Sequence, residues 1–231
     1  MRLCEVIVNI TRRCDMACRM CIRGDPQNVD IDERIFPKLF EEATWIRRLC
    51  FTGGEPSMNL KALRQVVGLM EEGKCEVGSV FTIMNGKKFE EEFCTLFQRM
   101  VELCTDNGMT EMVIGTSEYH EDAPGIGRYM EWKRIHDVGW MHWRAIGVGN
   151  WVVNTGRAKQ LGLGQREVSD QASGPFTYWS GEVRRLFLTC EGEVCTWCDI
   201  SYEDIQRFTK GNMLTEPLRD IIERSSHAGS I

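Results

Sequence analysis

The chain has 231 residues, of which 42% are apolar and 27% are charged, a composition typical of a soluble globular protein with one sizeable core. Its net charge of −6 argues against a general nucleic-acid binder, because binding to phosphates needs clustered Lys and Arg. No apolar run approaches the roughly 18 residues of a membrane span, and the N-terminal stretch is a poor signal peptide. We therefore expect a cytoplasmic protein that binds neither nucleic acid nor membranes.

The residue pattern predicts strands that alternate with helices as far as residue 153. The predicted strands are 2–9, 46–52, 77–84, 112–116, 143–148 and 151–153, and the predicted helices are 30–43, 60–72, 89–104 and 126–136. Such alternation is typical of βα units and a parallel sheet, and polar or Gly-rich residues follow most strands. Six units are fewer than the eight of a closed barrel. The expected fold is therefore α/β, a partial (β/α)6 TIM-like barrel.

The pattern changes after residue 158. Residues 159–182 are rich in Gly and Gln and predict a linker, whereas 183–189 and 194–196 predict a β-hairpin around Glu191-Gly192. Two short helices are expected at 202–208 and 216–224. The expected organisation is thus a core domain over 1–158, a linker over 159–182 and a small C-terminal domain over 183–231.

Eleven cysteines are distributed in a way that does not favour a disulfide scaffold. Their number is odd, the chain is long for such a scaffold, and six of them lie in two tight clusters. Thiolate metal sites explain this distribution better. The remaining five are expected to be small hydrophobic core residues: Cys4, Cys50, Cys75, Cys94 and Cys104.

The first cluster directly follows the first predicted strand, where Cys14, Cys18 and Cys21 have the spacing C-x3-C-x2-C. Iron–sulfur clusters are normally held by four thiolates, so three on one loop would leave one iron open to a ligand that is not protein. An open metal position distinguishes a site built for chemistry from a closed structural site. A zinc site or a chance spacing is the alternative for this motif alone.

The second predicted strand ends in Gly53-Gly54-Glu55-Pro56. Adjacent glycines let the backbone approach a ligand closely, and a carboxylate suits an ammonium group. Alone, this motif is equally compatible with an ordinary turn.

With both motifs after the appropriate strands, residues 3–158 resemble the radical S-adenosylmethionine (radical SAM) enzymes. The resemblance implies that Cys14, Cys18 and Cys21 hold a [4Fe-4S] cluster, and that S-adenosylmethionine is the cofactor. It assigns contacts to the cofactor to these residues: Met20, Gly53, Gly54, Glu55, Pro56, Asn85, Ser117, Glu118 and Val148. Met20 stands where an aromatic residue often packs on adenine, and Met84 replaces the Thr that often precedes Asn85. The stretch 154–158 resembles the end of the adenine-side rim.

The same rim carries Tyr119 and His120, which are candidates for a catalytic acid, base or radical partner. An ordinary surface loop is the alternative for both. Because no residue of this kind is singled out by spacing alone, the catalytic acid or base stays unassigned at this point.

The second cluster, Cys190, Cys195 and Cys198, resembles the C-terminal extensions called SPASM or twitch domains. That resemblance implies an auxiliary iron–sulfur cluster with three protein ligands. A fourth ligand is not obvious: Asp199, a distant thiol such as Cys75 or Cys104, or a bound substrate could supply it. A zinc knuckle or unligated thiols are the alternatives.

The resemblance implies an oxidoreductase- or transferase-type enzyme. In such enzymes the reduced cluster cleaves S-adenosylmethionine, and the resulting 5′-deoxyadenosyl radical abstracts hydrogen from substrate. The expected partners are a small-molecule or peptide substrate and an electron donor such as flavodoxin or ferredoxin. No peptide-recognition domain is visible, which slightly disfavours a leader-dependent peptide modifier. The alternative from another class is a non-catalytic zinc or iron–sulfur binding module.

Overall fold

The structure is a computed structural model, and it describes residues 1–120, 122–145 and 152–227. None of the helices in these ranges has both the length and the apolar character that crossing a bilayer requires.

Five parallel strands, adjacent in chain order, form the centre of the molecule. They are β1 (Arg2–Thr11), β2 (Trp45–Gly53), β3 (Glu76–Met84), β4 (Glu111–Thr116) and β5 (Met141–Ala145). The helices that connect them are α1 (Ile35–Glu42), α2 (Leu60–Glu72), α3 (Glu91–Leu103) and α4 (Ile126–His136). This is the βα alternation that the residue pattern predicts.

The C-terminal part extends the same sheet. Its elements are α5 (Gly156–Gln160), β6 (Tyr178–Trp179), β7 (Glu182–Val183), β8 (Leu186–Leu188), β9 (Glu193–Cys195), α6 (Ile205–Phe208), β10 (Gly211–Asn212) and α7 (Leu218–His227). Strand β8 pairs in parallel with β1, on the side away from β2, and β9 and β10 follow in antiparallel order. Among the described residues, the main strand order ends at β5 on one side and at β10 on the other, so the partial, open α/β barrel is confirmed.

The predicted sixth barrel strand is wrong in its described part. Val153 forms only an isolated bridge with Arg166, and Val152 accepts backbone hydrogen bonds from the same loop. Strand β8, whose three residues are all buried, pairs with β1. Three consecutive apolar side chains suit a strand that is covered on both faces. The predicted fifth strand begins two residues early, at Met141, and its part beyond 145 lies outside the described residues.

Helices cover one face of the sheet because their apolar residues recur every three or four positions. Helix α1, for example, buries Ile35, Phe36, Leu39 and Phe40. Asn59 begins α2: its side chain accepts a hydrogen bond from Ala62 N and donates one to Ile10 O at 2.6 Å. The residue that caps α2 therefore also fixes this helix to β1. Because the helices lie on one face of the sheet, the opposite face is available for a site.

Candidate cofactor and substrate site

A cavity of about 790 Å³ lies on the face of the sheet that the helices leave uncovered. Its wall includes the three N-terminal cysteines, Gly53 to Glu55, Asn85 and one cysteine of the C-terminal cluster, Cys198. Its volume is within the usual range for a small-molecule site. The carboxyl ends of β1, β2 and β3 therefore meet at one concave surface.

The loop that carries Cys14, Cys18 and Cys21 is closed at its base by backbone hydrogen bonds. Arg12 N donates to Val29 O at 2.7 Å, and Gln27 N donates to Arg12 O at 3.0 Å. All three cysteines are half-buried and line the cavity. In the described ranges, His, Cys, Asp and Glu side chains form no group of three that could surround one metal ion. Three thiols on one loop supply three of the four thiolates that normally hold an iron–sulfur cluster.

Gly53 and Gly54 are needed because two backbones run in close contact. A Cβ on Gly54 would lie 2.1 Å from Arg13 O, and one on Gly53 would lie 2.1 Å from Thr11 O. Gly53 also has a φ of 144°, which L-residues rarely adopt. The backbone pairing continues with hydrogen bonds from Gly54 N to Thr11 O and from Glu55 N to Arg13 O, both 2.8 Å. The glycine motif thus fixes the start of the cysteine loop to β2.

Glu55 is 2% exposed and ties the ends of two strands together. One carboxylate oxygen accepts hydrogen bonds from Ser57 N and Ser57 Oγ, and the other accepts one from Asn85 N at 2.8 Å. Burial raises the pKa of this carboxyl from 4.5 to about 7, against the opposing effect of those hydrogen bonds. The next residue, Pro56, is buried and begins a short 3-10 helix.

We predict that Glu55 makes the protein less stable as the pH rises towards neutrality. Between pH 4.5 and about 7 the unfolded carboxyl loses its proton while the folded one keeps it. The free energy of unfolding should therefore fall across this window, by at most about 3 kcal/mol, and level off above it. The Glu55→Gln variant should lack the fall. Unfolding measurements near pH 5 and pH 8 test this, and parallel pH profiles of the two proteins would refute it.

Asn85 connects the end of β3 to the cysteine loop. Its side-chain Nδ2 donates to Asp15 Oδ1 at 2.9 Å and lies 3.7 Å from Cys14 Sγ. Its Oδ1 accepts from Lys87 N at 2.8 Å. The side chain is therefore fixed in the cavity wall next to the first cysteine.

An apolar patch lies beside the third cysteine. Arg157 N donates to Cys21 O at 2.9 Å, and a Cβ on Gly156 would lie only 2.5 Å from Ile22 O. This contact places the buried side chains of Val152 and Ala158 against Met20. The stretch 154–158 therefore packs on the end of the cysteine loop. The predicted contact Val148 lies outside the described residues.

The rim residues after β4 have different environments. Ser117 Oγ and His120 Nδ1 are 2.8 Å apart, and His120 is the member of this group that lines the cavity. Burial lowers the pKa of His120, which favours a neutral imidazole. Tyr119 packs against the apolar patch, and Glu118 is exposed.

The C-terminal cysteines lie close to the N-terminal loop. Cys190 is 1% exposed, and its Sγ donates to Asn9 O at 3.0 Å, whereas Cys195 is buried beside Phe187. Cys198 lines the cavity, and its Sγ is 3.6 Å from Asp199 Oδ1. Burial raises the pKa of each of these thiols to about 12.

Of the distant thiols considered as a fourth ligand, Cys75 is buried in the helix-side core and Cys104 packs against it. Neither lines the cavity, whereas Cys50, expected to be a core residue, does. Cys50 lies two positions before Thr52, on the same face of β2, and both residues line the cavity.

The sequence reasoning also missed Arg23 and Tyr202, which line the cavity between the two cysteine clusters. Arg23 lies two residues after the last cysteine of the first motif, and this proximity was a usable signal. No sequence signal pointed to Tyr202, because its position depends on how the C-terminal part packs against the cysteine loop.

The fold and the cavity define an open α/β barrel with a cysteine loop at the carboxyl ends of its strands. Residues 4–107 match the family described as a 4Fe-4S single cluster domain. No curated protein sequence matches the chain.

Solved structures share the fold at low sequence identity. Hexahistidine-tagged anSMEcpe with bound AdoMet has a TM-score of 0.61 at 10% identity, over 99% of this chain and 82% of that chain. Native anSMEcpe with bound AdoMet and Cp18Cys peptide has a TM-score of 0.58, 10% identity and the same shares of 99% and 82%. Streptococcus suis SuiB bound to precursor peptide SuiA has a TM-score of 0.51 at 9% identity, over 99% of this chain and 66% of that chain. These structures show a shared fold, and the 4Fe-4S family match over residues 4–107 includes both the three-cysteine loop and the glycine motif.

Proposed function

We propose that this protein is a radical SAM enzyme that cleaves S-adenosylmethionine reductively and removes a hydrogen atom from its substrate. The observation that carries the proposal is a single cavity whose wall combines the three-cysteine loop with the glycine motif and Asn85. A [4Fe-4S] cluster held by Cys14, Cys18 and Cys21 would supply one electron to the sulfonium, and S-adenosylmethionine would then give methionine and a 5′-deoxyadenosyl radical that becomes 5′-deoxyadenosine on taking the substrate hydrogen.

Different residues would bind the cluster and the cofactor. Cys14, Cys18 and Cys21 would hold the cluster, and the backbone of Gly53 to Glu55 would face the methionyl amine. Glu55 itself is held by Ser57 and Asn85, so it orders this edge of the cavity. Hydrogen bonds of this kind hold a loop in the geometry that a ligand needs.

The adenine side would be formed by the apolar patch beside Cys21. Met20 packs there against the buried Val152 and Ala158. A flexible thioether on such a patch can contact a flat ring without a specific hydrogen bond. Ser117 and Glu118 lie on the neighbouring rim and would face the ribose or the carboxylate. His120, in the cavity wall, is the stronger candidate for a catalytic acid or base, with Tyr119 the other.

We propose a peptide as substrate, rather than a free small molecule. The anSMEcpe and SuiB structures that share this fold are described with a Cp18Cys peptide and with the precursor peptide SuiA. One side chain of a peptide would fit the cavity of about 790 Å³. Flavodoxin or ferredoxin would supply the electron, and thiolate sites of this kind suit the reducing cytoplasm.

We further propose that residues 183–231 form the auxiliary-cluster unit, after the linker 159–182. The C-terminal thiols are held near the first loop by β8 and β9, which supports a second cluster close to the cavity. A non-catalytic zinc or iron–sulfur module is the alternative that the experiment must distinguish.

The test is anaerobic reconstitution with iron and sulfide, followed by iron counting and chromatography after addition of S-adenosylmethionine and dithionite. About eight irons per chain with 5′-deoxyadenosine formed would support two clusters and radical chemistry. About four irons per chain with the same product would support the enzymatic function and contradict the auxiliary cluster. Zinc without 5′-deoxyadenosine would favour the binding module.

We expect Cys195→Ala to lower the iron content by about four per chain while sparing the cleavage of S-adenosylmethionine without substrate. Cys195 is fully buried at the end of β9, so its loss removes one of three thiols from the C-terminal group alone. Cys75→Ala is the matched control, because that thiol is 3% exposed in the helix-side core. Iron contents that do not differ between the two variants would count against an auxiliary cluster.

A further inference from the structure

Arg23 joins the two cysteine loops. It lies two residues after Cys21 and is 7% exposed. Its guanidinium donates hydrogen bonds to the backbone oxygens of Cys198 and Ile200, the second at 2.9 Å. These two acceptors lie at and just after the last cysteine of the C-terminal group.

The backbone of Arg23 adds a third connection. Its carbonyl oxygen accepts a hydrogen bond from Tyr202 N at 3.0 Å. One residue of the N-terminal loop, Arg23, therefore forms hydrogen bonds with both ends of the segment 198–202. Since a buried hydrogen-bonding group that loses its partner is costly, the position of this segment depends on Arg23.

The charge of Arg23 distinguishes it from the other arginines near the cavity. Arg12 is paired with Glu191 at 2.6 Å, Arg185 with Glu5 at 2.6 Å, and Arg157 with Asp25 at 3.0 Å. Within the described ranges, Arg23 forms no ion pair with a carboxylate. Its guanidinium lies 4.9 Å from the centroid of the Phe187 ring, inside the protein.

A buried cation is normally balanced by a nearby anion. The guanidinium of Arg23 lies at the C-terminal cysteines, because it donates to Cys198 O and contacts the ring of Phe187, which belongs to the same buried cluster as Cys195. Thiolates that bind iron would supply the negative charge that this guanidinium otherwise lacks. The C-terminal donor set therefore fits a negatively charged group beside Arg23.

We propose that Arg23 is a positioning residue for the C-terminal iron–sulfur site: it holds the segment 198–202 against the N-terminal cysteine loop and compensates the charge of the C-terminal thiolates. This inference rests on the proposed function, because it requires iron at those cysteines.

The test uses Arg23→Gln and Arg23→Lys in a Cys18→Ala background, so that the remaining iron reports on the C-terminal site. Arg99→Gln is the matched control, since this exposed arginine on α3 pairs with Glu71 and Glu102 away from the cavity. The readouts are iron per chain after anaerobic reconstitution and the midpoint potential from a redox titration followed by electron paramagnetic resonance.

We expect Arg23→Gln to lose more than half of the iron, and the cluster that remains to have a more negative midpoint potential. Reduction adds an electron, so removing a nearby positive charge makes reduction less favourable. Arg23→Lys keeps the charge but reaches fewer acceptors, so it should recover the potential and part of the iron. The proposal would be overturned if Arg23→Gln and Arg99→Gln had the same iron content and midpoint potential. It would also be overturned if Arg23→Lys bound no more iron than Arg23→Gln.

The outcomes separate this inference from the proposed function. If the Cys18→Ala parent binds no iron while the native chain binds iron and forms 5′-deoxyadenosine, the role of Arg23 is overturned and the enzyme stands. If the native chain itself takes up no iron, both fail.

Discussion

Cys18→Ala is expected to reduce the cleavage of S-adenosylmethionine to background. The substitution would leave two thiols on the N-terminal loop, too few to hold a [4Fe-4S] cluster with one open iron. The loss should exceed the roughly 10- to 100-fold that removing an outer contact to a metal ligand costs. The fold should persist, because the base of the loop is closed by Arg12 and Gln27, and Cys18 is not in the core.

The measurement is 5′-deoxyadenosine formed per chain under dithionite, together with iron content. Cys104→Ala is the control, since Cys104 is a half-buried thiol that does not line the cavity. The control should retain cleavage. Cleavage by Cys18→Ala at the level of Cys104→Ala would remove the N-terminal cluster from the mechanism.

Gly54→Ala is expected to destabilise the protein and to reduce its iron content. The new Cβ would lie 2.1 Å from Arg13 O, 2.6 Å from Arg13 C and 3.0 Å from Arg12 C. All three contacts are backbone atoms, so no flexible side chain can move away. Forcing extra atoms into a packed site typically costs about 1–3 kcal/mol and sometimes more. Here the cost would fall on the pairing that positions the cysteine loop, so iron should be lost as well.

Gly68→Ala is the matched control for this substitution. Gly68 lies within α2, and a Cβ there would meet no atom within 4 Å. Alanine should stabilise that helix by up to about 1 kcal/mol. Urea unfolding and iron counting of the two variants give the comparison. Equal stability of Gly54→Ala and the native protein would mean that the close approach of the two backbones is not needed.

Some of the site was readable in the sequence because its parts are local. Cys14, Cys18 and Cys21 lie within eight residues of one another, so any loop that joins them keeps the three thiols close. The strands before this loop and before Gly53 were also predictable, since apolar β-branched residues mark them. Parallel strands then bring both motifs to the same edge of the sheet.

The sequence explained only in part why positions 53 and 54 are glycines. The sequence indicates that some group approaches the backbone at Gly53 and Gly54, and a ligand is one such group. The tertiary structure adds another, because the carbonyl oxygens of Thr11 and Arg13 lie where both Cβ atoms would be. Which group makes the approach depends on the β1–β2 register, and no pattern within β2 specifies that register.

The sixth strand failed for a related reason. Trp151 to Val153 has the residue types of a strand, but a short apolar run forms a strand only if a partner is available. In the described residues, Val153 pairs only with Arg166 in an isolated bridge, whereas three consecutive residues of β8 are buried and pair with β1. Which apolar segments join the sheet is decided by packing over the whole core.

The sequence alone determined the local part of the candidate site: three closely spaced thiols after a strand, with a glycine motif after the next strand. These are short-range features, and chain connectivity alone keeps such residues together. Only the tertiary structure decided that the C-terminal part extends the central sheet and that Arg23 hydrogen-bonds across 175 residues to Cys198. The physical reason is that contacts between distant segments depend on strand register and on burial of the whole core, which no local pattern encodes.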